Sequence, residues 1–246
     1  MYNCTVRGRE SLGTYGESKI GLVRKVNEDS FYISPQENIL VVADGMGGYV
    51  GGEVASKTAV EAIAYYFKNF TYAAPVQLEK AIQYANSCII SKTMIDPTLK
   101  GMGTTISMVT LARHYAFWGH VGDSRIYLYR NGQLKQISVD HTIVQVMVDK
   151  GKLKPEEAMH HPQRHVLTRA VGVDENLLVD TGAFEVQPND RILICSDGLA
   201  AFLEPRILAD AVGDYSRSER DIVNDLFDCV YRNGANDNVT AILTTL

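Results

Sequence analysis

The stretch Ile39–Gly48, ILVVADGMGG, decides how the rest of the chain reads. Five apolar residues in a row suit a strand buried on both faces, and the glycines that follow would stop it. Between them stands Asp44. A chain reversal calls for glycine, asparagine or serine, not for an acid at the end of a buried strand, where an unpartnered charge is costly to desolvate. The design recurs in 116–125, AFWGHVGDSR, whose apolar run stops at Asp123, and in 191–199, RILICSDGL, whose run stops at Asp197. Asp237 stands just before the last strand-like run, VTAILTTL.

Outward from that stretch, 18–34 reads as two strands around a polar corner, RKVNED. After the glycines, EVASKTAVEAIAYYFKNF and LEKAIQYANSCIISKTM carry apolar residues at helical spacing, predicting two amphipathic helices. The period then shortens to that of strands in TTISMVTLA, HYAFWGHVGD, SRIYLYR and LKQIS, read as an antiparallel meander, with Asn131-Gly132 suited to a type I′ hairpin turn. A polar insertion over 138–172 holds two short helical pieces and reads as a surface flap. Strands at LLVDTGAFEV and RILICSD, helices at PRILADAVGDYS and SERDIVNDLFDCVYRNG and a closing strand complete the chain. With no low-complexity break and no repeat, residues 1–246 read as a single domain. The fold class expected is α+β: an antiparallel β-sandwich flanked by helices.

At 246 residues, nearly half of them hydrophobic, the chain can bury a sizeable core. A net charge of −5 without a basic run argues against nucleic acid. No signal-peptide core and no stretch of about eighteen apolar residues is present, which reads as a soluble cytoplasmic protein rather than a membrane one. Cys4, Cys88, Cys195 and Cys229 form no CxxC pair and read as buried free thiols.

In an antiparallel arrangement, acids that follow strands can meet one that precedes a strand, so Asp44, Asp123, Asp197 and Asp237 are expected to share one edge. Any one of them alone would read as a turn residue, Asp before Gly being a common turn pair. Four at strand ends repel unless a cation lies between them, and oxygen ligands select a hard ion such as Mg²⁺ or Mn²⁺. Gly45, lacking a Cβ, lets a backbone carbonyl approach an ion or phosphate. Two ions about 3.5–4 Å apart can aim a water at a phosphate ester. Arg24 would grip two phosphate oxygens, and Asp29 would orient metal-held water. His160, His161 and His165 lack ligand spacing and read as a solvated flap, whereas His120 reads as a satisfied core residue. The glycines of GMGGYVGGE match no nucleotide-binding pattern.

RKVNEDSF, VVADGMGGYVGGEVAS, GTT at 103–105, HVGDSRIYLYRNGQL, DHT from Asp140, HPQRHVLTRAVG, ILICSDGL and NDNVTAIL occur in one order across nearly the whole chain. In that order they resemble the metal-dependent serine/threonine protein phosphatases of type 2C, in their compact bacterial form. The resemblance implies helix–sheet–sheet–helix layers with two Mn²⁺ or Mg²⁺ ions at one end of the sandwich. Asp44 would bridge both ions, the Gly45 carbonyl would hold one, and Asp197 and Asp237 would hold the other. Asp29 falls on an acid that reaches metal through water, Arg24 on the phosphate-binding arginine, and Asp123 joins Asp197 at a third metal position. The flap would shape substrate access. Met46 stands where animal members carry a proton-donating histidine, which leaves that proton to metal-bound water. Tyr49 replaces a more polar residue and is expected to pack.

These features imply hydrolysis of phosphoserine and phosphothreonine on proteins by direct water attack without a phosphoenzyme. Phosphorylated proteins and a serine/threonine kinase are the implied partners, and the default state is a monomer. Two other readings stay open: a silent phosphatase-fold binding module, disfavoured because every ligand position is filled, and a hydrolase of small phosphate esters.

Overall fold

The computed structural model describes residues 13–36, 38–68, 74–158 and 161–246, but not the side chains of 48–50. The chain opens with β1 (Gly13–Lys19), β2 (Asp29–Ile33) and β3 (Ile39–Met46), then α1 (Gly48–Phe67) and α2 (Pro75–Ile95). Next come β4 (Gly103–Thr104), β5 (Ile106–Leu111), β6 (Tyr115–Val121), β7 (Arg125–Arg130) and β8 (Gln133–Gln136), followed by α3 (Ile143–Asp149) and α4 (Pro155–Ala158). The remainder is β9 (Asp180–Glu185), β10 (Arg191–Cys195), α5 (Asp197–Ala200), α6 (Pro205–Val212), α7 (Glu219–Arg232) and β11 (Val239–Thr245).

Two antiparallel sheets face each other, one ordered β1-β11-β10-β7-β8 and the other β2-β3-β5-β6-β9, with β4 paired to β3. Leu40 and Val42 of β3 meet Ile192 and Ile194 of β10 in the layer between the sheets. Their neighbours point outward: Val41 and Ala43 pack under α1 and α2, and Leu193 and Cys195 under α5, α6 and α7. Alternate residues thus serve two different cores, which is why these strands read as unbroken apolar runs. The expected helix–sheet–sheet–helix layering holds.

The single meander does not. β5 pairs with β6 in one sheet and β7 with β8 in the other, so the chain crosses between sheets at Gly122-Asp123-Ser124. Period-2 patterning registers a strand but not the sheet it joins. The Asn131-Gly132 turn has positive φ at both residues, as the hairpin expectation required. Helix α1 begins five residues before the expected Glu53, because its glycines answer to close packing rather than to a loop: a Cβ on Gly52 would lie 2.3 Å from the Glu28 carboxylate. Residues 141–171 are closed on themselves by a bridge pairing Thr142 with Leu167 and joined to the sandwich by one pairing Thr104 with Val171.

His120 is buried, bonded to Ser107 and to the Val139 carbonyl, as expected of a core residue. Cys88, Cys195 and Cys229 are free thiols, but only Cys195 is fully buried. Cys4, His160 and the side chain of Tyr49 lie outside the described residues. Among the described residues no helix is long and apolar enough to cross a membrane.

Phe227 of α7 is fully buried in the core beneath the first sheet. Phe227→Ala is expected to cost about 3–5 kcal/mol, lowering the melting temperature by on the order of 10 °C in a calorimetric scan.

Candidate metal and phosphate site

The crossing strands bring the expected acids to one end of the sandwich. Asp44, Gly45, Asp123, Asp197 and Asp237 line a single groove together with Arg24, Glu28 and Thr105. The scaffold reaches it from both sheets. Asp29 and Asp44 stand directly opposite each other in the β2–β3 ladder, a placement that like charges oppose. Thr105 fixes the β3 end twice: its Oγ1 accepts from the Asp44 N–H at 2.9 Å, and its own N–H donates to the Asp44 carbonyl at 2.8 Å. A Cβ on Gly45 would fall 2.1 Å from the Gly52 carbonyl oxygen and 2.5 Å from that of Glu28. Glycine is therefore required there by backbone packing, a reason separate from the carbonyl access expected from sequence.

Asp123 sits in the sheet crossing. His141 brackets the residue before it, donating its N–H to the Gly122 carbonyl at 2.7 Å and accepting the Gly122 N–H on Nδ1 at 3.1 Å. Asp197 opens α5, a short helix that the sequence pattern did not reveal because four residues are too few for a helical period. A Cβ on Gly198 would lie 1.9 Å from the Asn238 carbonyl oxygen, so the segment carrying Asp197 presses directly on the one carrying Asp237.

The electrostatics are those of an overcrowded acid cluster. Burial, opposed by hydrogen bonds from Thr240 and Ser196 and reinforced by the charges of Asp197 and Asp237, pushes the Asp29 carboxyl up to about 7. Thr240 Oγ1 and Ser196 Oγ donate to Asp29 Oδ2 at 2.6 and 2.8 Å, while Oδ1 is buried with no hydrogen-bond partner. Asp44 is held well above the carboxylate range by burial and then by Asp29, Asp197, Asp123 and Asp237. Asp123 is raised by burial and then by Asp197 and Asp140.

Two side chains pair with the outer acids. Arg24 Nη2 donates to Asp237 Oδ2 at 2.7 Å, and His165 Nδ1 lies 3.2 Å from Asp197 Oδ2. His165 stays half exposed on the flap, as its solvated reading had it, yet it also lines the groove, a contact that HHPQRH gives no periodicity to reveal. Among the described residues no three acidic, histidine or cysteine side chains are gathered as a ready ion cage. The oxygen-only donors, the orphaned Asp29 Oδ1 and three acids held above their ordinary range nonetheless fit a hard divalent cation, which would displace Arg24 and His165 from their acids.

Sequence reading also passed over Asn238. Its Oδ1 accepts the Glu28 N–H at 2.8 Å, and its Nδ2 donates to the carbonyls of Ile20 and Val26 at 2.9 and 3.0 Å. One side chain thus clamps both ends of the loop that presents Arg24. Its adjacency to Asp237 in NDN was the available signal.

A sequence model described as protein phosphatase 2C matches residues 23–244. The serine/threonine protein phosphatase PstP of Mycobacterium tuberculosis is 37% identical over 227 residues, 91% of this chain but 43% of PstP. The chain therefore spans less than half the length of that relative. Its crystal structure superimposes with a TM-score of 0.89 at 36% identity, covering 96% of this chain and 98% of that one. The serine/threonine phosphatase Stp of Listeria welshimeri is 34% identical over 231 residues, 91% of each chain. A structure of the PstP catalytic domain in complex with two manganese ions matches with a TM-score of 0.86 at 34% identity, covering 95% of this chain and 97% of that one.

Ordinary aspartate titrates near 4, so the folded protein, with Asp29 at about 7, holds more protons than the unfolded chain between those values. Stability must then fall as pH rises through that window. In chelator, the protein is expected to melt lower at pH 8 than at pH 5, and Asp29→Asn to flatten that slope in parallel thermal scans.

Proposed function

Because the chain belongs to the protein phosphatase 2C family, we propose that it removes phosphate from phosphoserine and phosphothreonine of proteins with the help of Mn²⁺ or Mg²⁺. The observation that carries this reading is the buried set of Asp29, Asp44 and Asp123 facing Asp197 and Asp237, with Arg24 at its rim. We propose Asp44, the Gly45 carbonyl, Asp123, Asp197 and Asp237 as the oxygen donors for the ions, with Asp29 behind them. The manganese-bound structure of PstP supports two ions, and Asp123 offers a donor for a third. Bound ions of this kind supply an activated water and neutralise phosphate charge.

The chain's own residues do the rest. Arg24, on the loop clamped by Asn238, exchanges the Asp237 carboxylate for two phosphate oxygens, which its planar fork matches. Asp29, braced by Ser196 and Thr240, holds its neighbour Asp44 in register. Met46 lines the groove but has no proton to give the departing alcohol. In this reading residues 1–246 form one catalytic domain with 138–172 as its flap. It acts as a cytoplasmic monomer, and its partners are phosphorylated proteins and the serine/threonine kinase that modifies them.

The test is phosphate release from a phosphothreonine peptide with Mn²⁺ and then with excess chelator. Turnover is expected with metal and none without it. Asp197→Ala is expected to lose at least a hundredfold in kcat. Arg24→Ala, which forfeits a charged hydrogen bond to phosphate, is expected to lose roughly 10- to 100-fold in kcat/KM. Metal-independent turnover, or full activity in Asp197→Ala, overturns the reading.

A further inference from the structure

Beside the catalytic groove lies a second cavity of about 200 Å³. Asp123, His165 and Asp197 line both, so the two spaces share a wall one layer of side chains thick. Away from that shared edge the lining is mixed, with Arg125, Asp140, Gln145 and Arg164 among apolar side chains. Val144 and Val148 of α3 and Pro155 of α4 contribute from the flap, and Leu203 and Leu208 from the chain after α5.

The charged pair in its lining is satisfied within the protein. Arg125 donates from Nε and Nη2 to the Asp140 carboxylate, at 3.0 and 2.7 Å, and from Nη1 to the Tyr127 hydroxyl at 3.2 Å. Gln136 adds a donor to Asp140 at 2.9 Å. Arg125 and Asp140 are already paired and the exposed Arg164 keeps its water, so an apolar visitor breaks no such pair, whereas an acidic one would meet Asp123, Asp140 and Asp197. A dry apolar cavity of about 150 Å³ accommodates benzene, so this one has room for a leucine, methionine or phenylalanine side chain. The groove's rim also carries apolar side chains, since Leu22 and Val23 beside Arg24 and Val166 on the flap are all exposed.

We propose that this cavity receives the apolar side chain of a residue close in sequence to the phosphorylated serine or threonine of the substrate protein, and so selects among phosphorylation sites. The proposal rests on the phosphatase reading and names its specificity. An extended peptide advances about 3.3 Å per residue, so a cavity sharing a wall with the groove serves a residue within about two positions of the phosphorylated one.

The experiment uses phosphothreonine peptides identical except for leucine or alanine at each of the two positions before and after the phosphorylated residue. They are assayed with Mn²⁺ against the unsubstituted protein, Val148→Phe, which fills the cavity, and Val148→Asp, which charges it. At one position the unsubstituted protein is expected to favour leucine over alanine by roughly 10- to 100-fold in kcat/KM. Both variants should bring that ratio close to one. Because each ratio is internal to one variant, partial loss of folded protein leaves it unaffected. Equal turnover of leucine and alanine peptides at every position overturns the proposal, as does a preference that survives both variants. Turnover of an aryl phosphate by the unsubstituted protein checks the phosphatase reading separately. If neither aryl phosphate nor any peptide is hydrolysed, that reading falls and the proposal with it.

Discussion

Five aspartates crowded at one end of two facing sheets repel one another, and the structure around them is organised to withstand that repulsion. Asp29 and Asp44 are paired across adjacent strands, where free strands would separate. They cannot separate because β3 is gripped on both faces, by the layer between the sheets and by the helices α1 and α2. Hydrogen bonds from Ser196 and Thr240 lean against Asp29 from the opposite sheet, so the repulsion is carried across the whole sandwich rather than by one hairpin. Arg24 and His165 pair with the outermost acids, and both sit on loops that can release them.

This arrangement divides labour between rigid and adjustable parts. The acids on the strands gain their positions from two cores at once. Those on loops gain them from backbone contact: Gly198 against Asn238, and the Asn238 side chain against both ends of the loop holding Arg24. The flap meets the sandwich through the Thr104–Val171 bridge, His141 against Gly122 and Arg169 against Asp180. Changes at Gly45 or Gly198 would reach the acids at once, since a Cβ at either position would press on backbone carbonyls.

Much of this was legible in the residues. An acid ending an apolar run betrayed Asp44, Asp123 and Asp197, because a buried strand has no use for a charge unless something binds it. Helical spacing gave α1 and α2, and Asn131-Gly132 gave its hairpin. The assignment of strands to sheets was hidden, since β6 and β7 follow each other with the same period yet belong to opposite sheets. α5 was hidden by its brevity. His165 and Asn238 were hidden because their roles come from contacts with residues distant in sequence, Asp197 and the loop of Ile20 to Glu28. Glycine at 45 was noticed for a different reason from the one that packing imposes.

The thiol of Cys195, two residues before Asp197, is fully buried, and burial pushes its pKa up to about 12. At neutral pH it carries no thiolate, the form that peroxides attack. The strand leading to Asp197 thus offers oxidants no thiolate, and the proposed metal donors are oxygen atoms. Oxidants that attack thiolates would find none beside those donors.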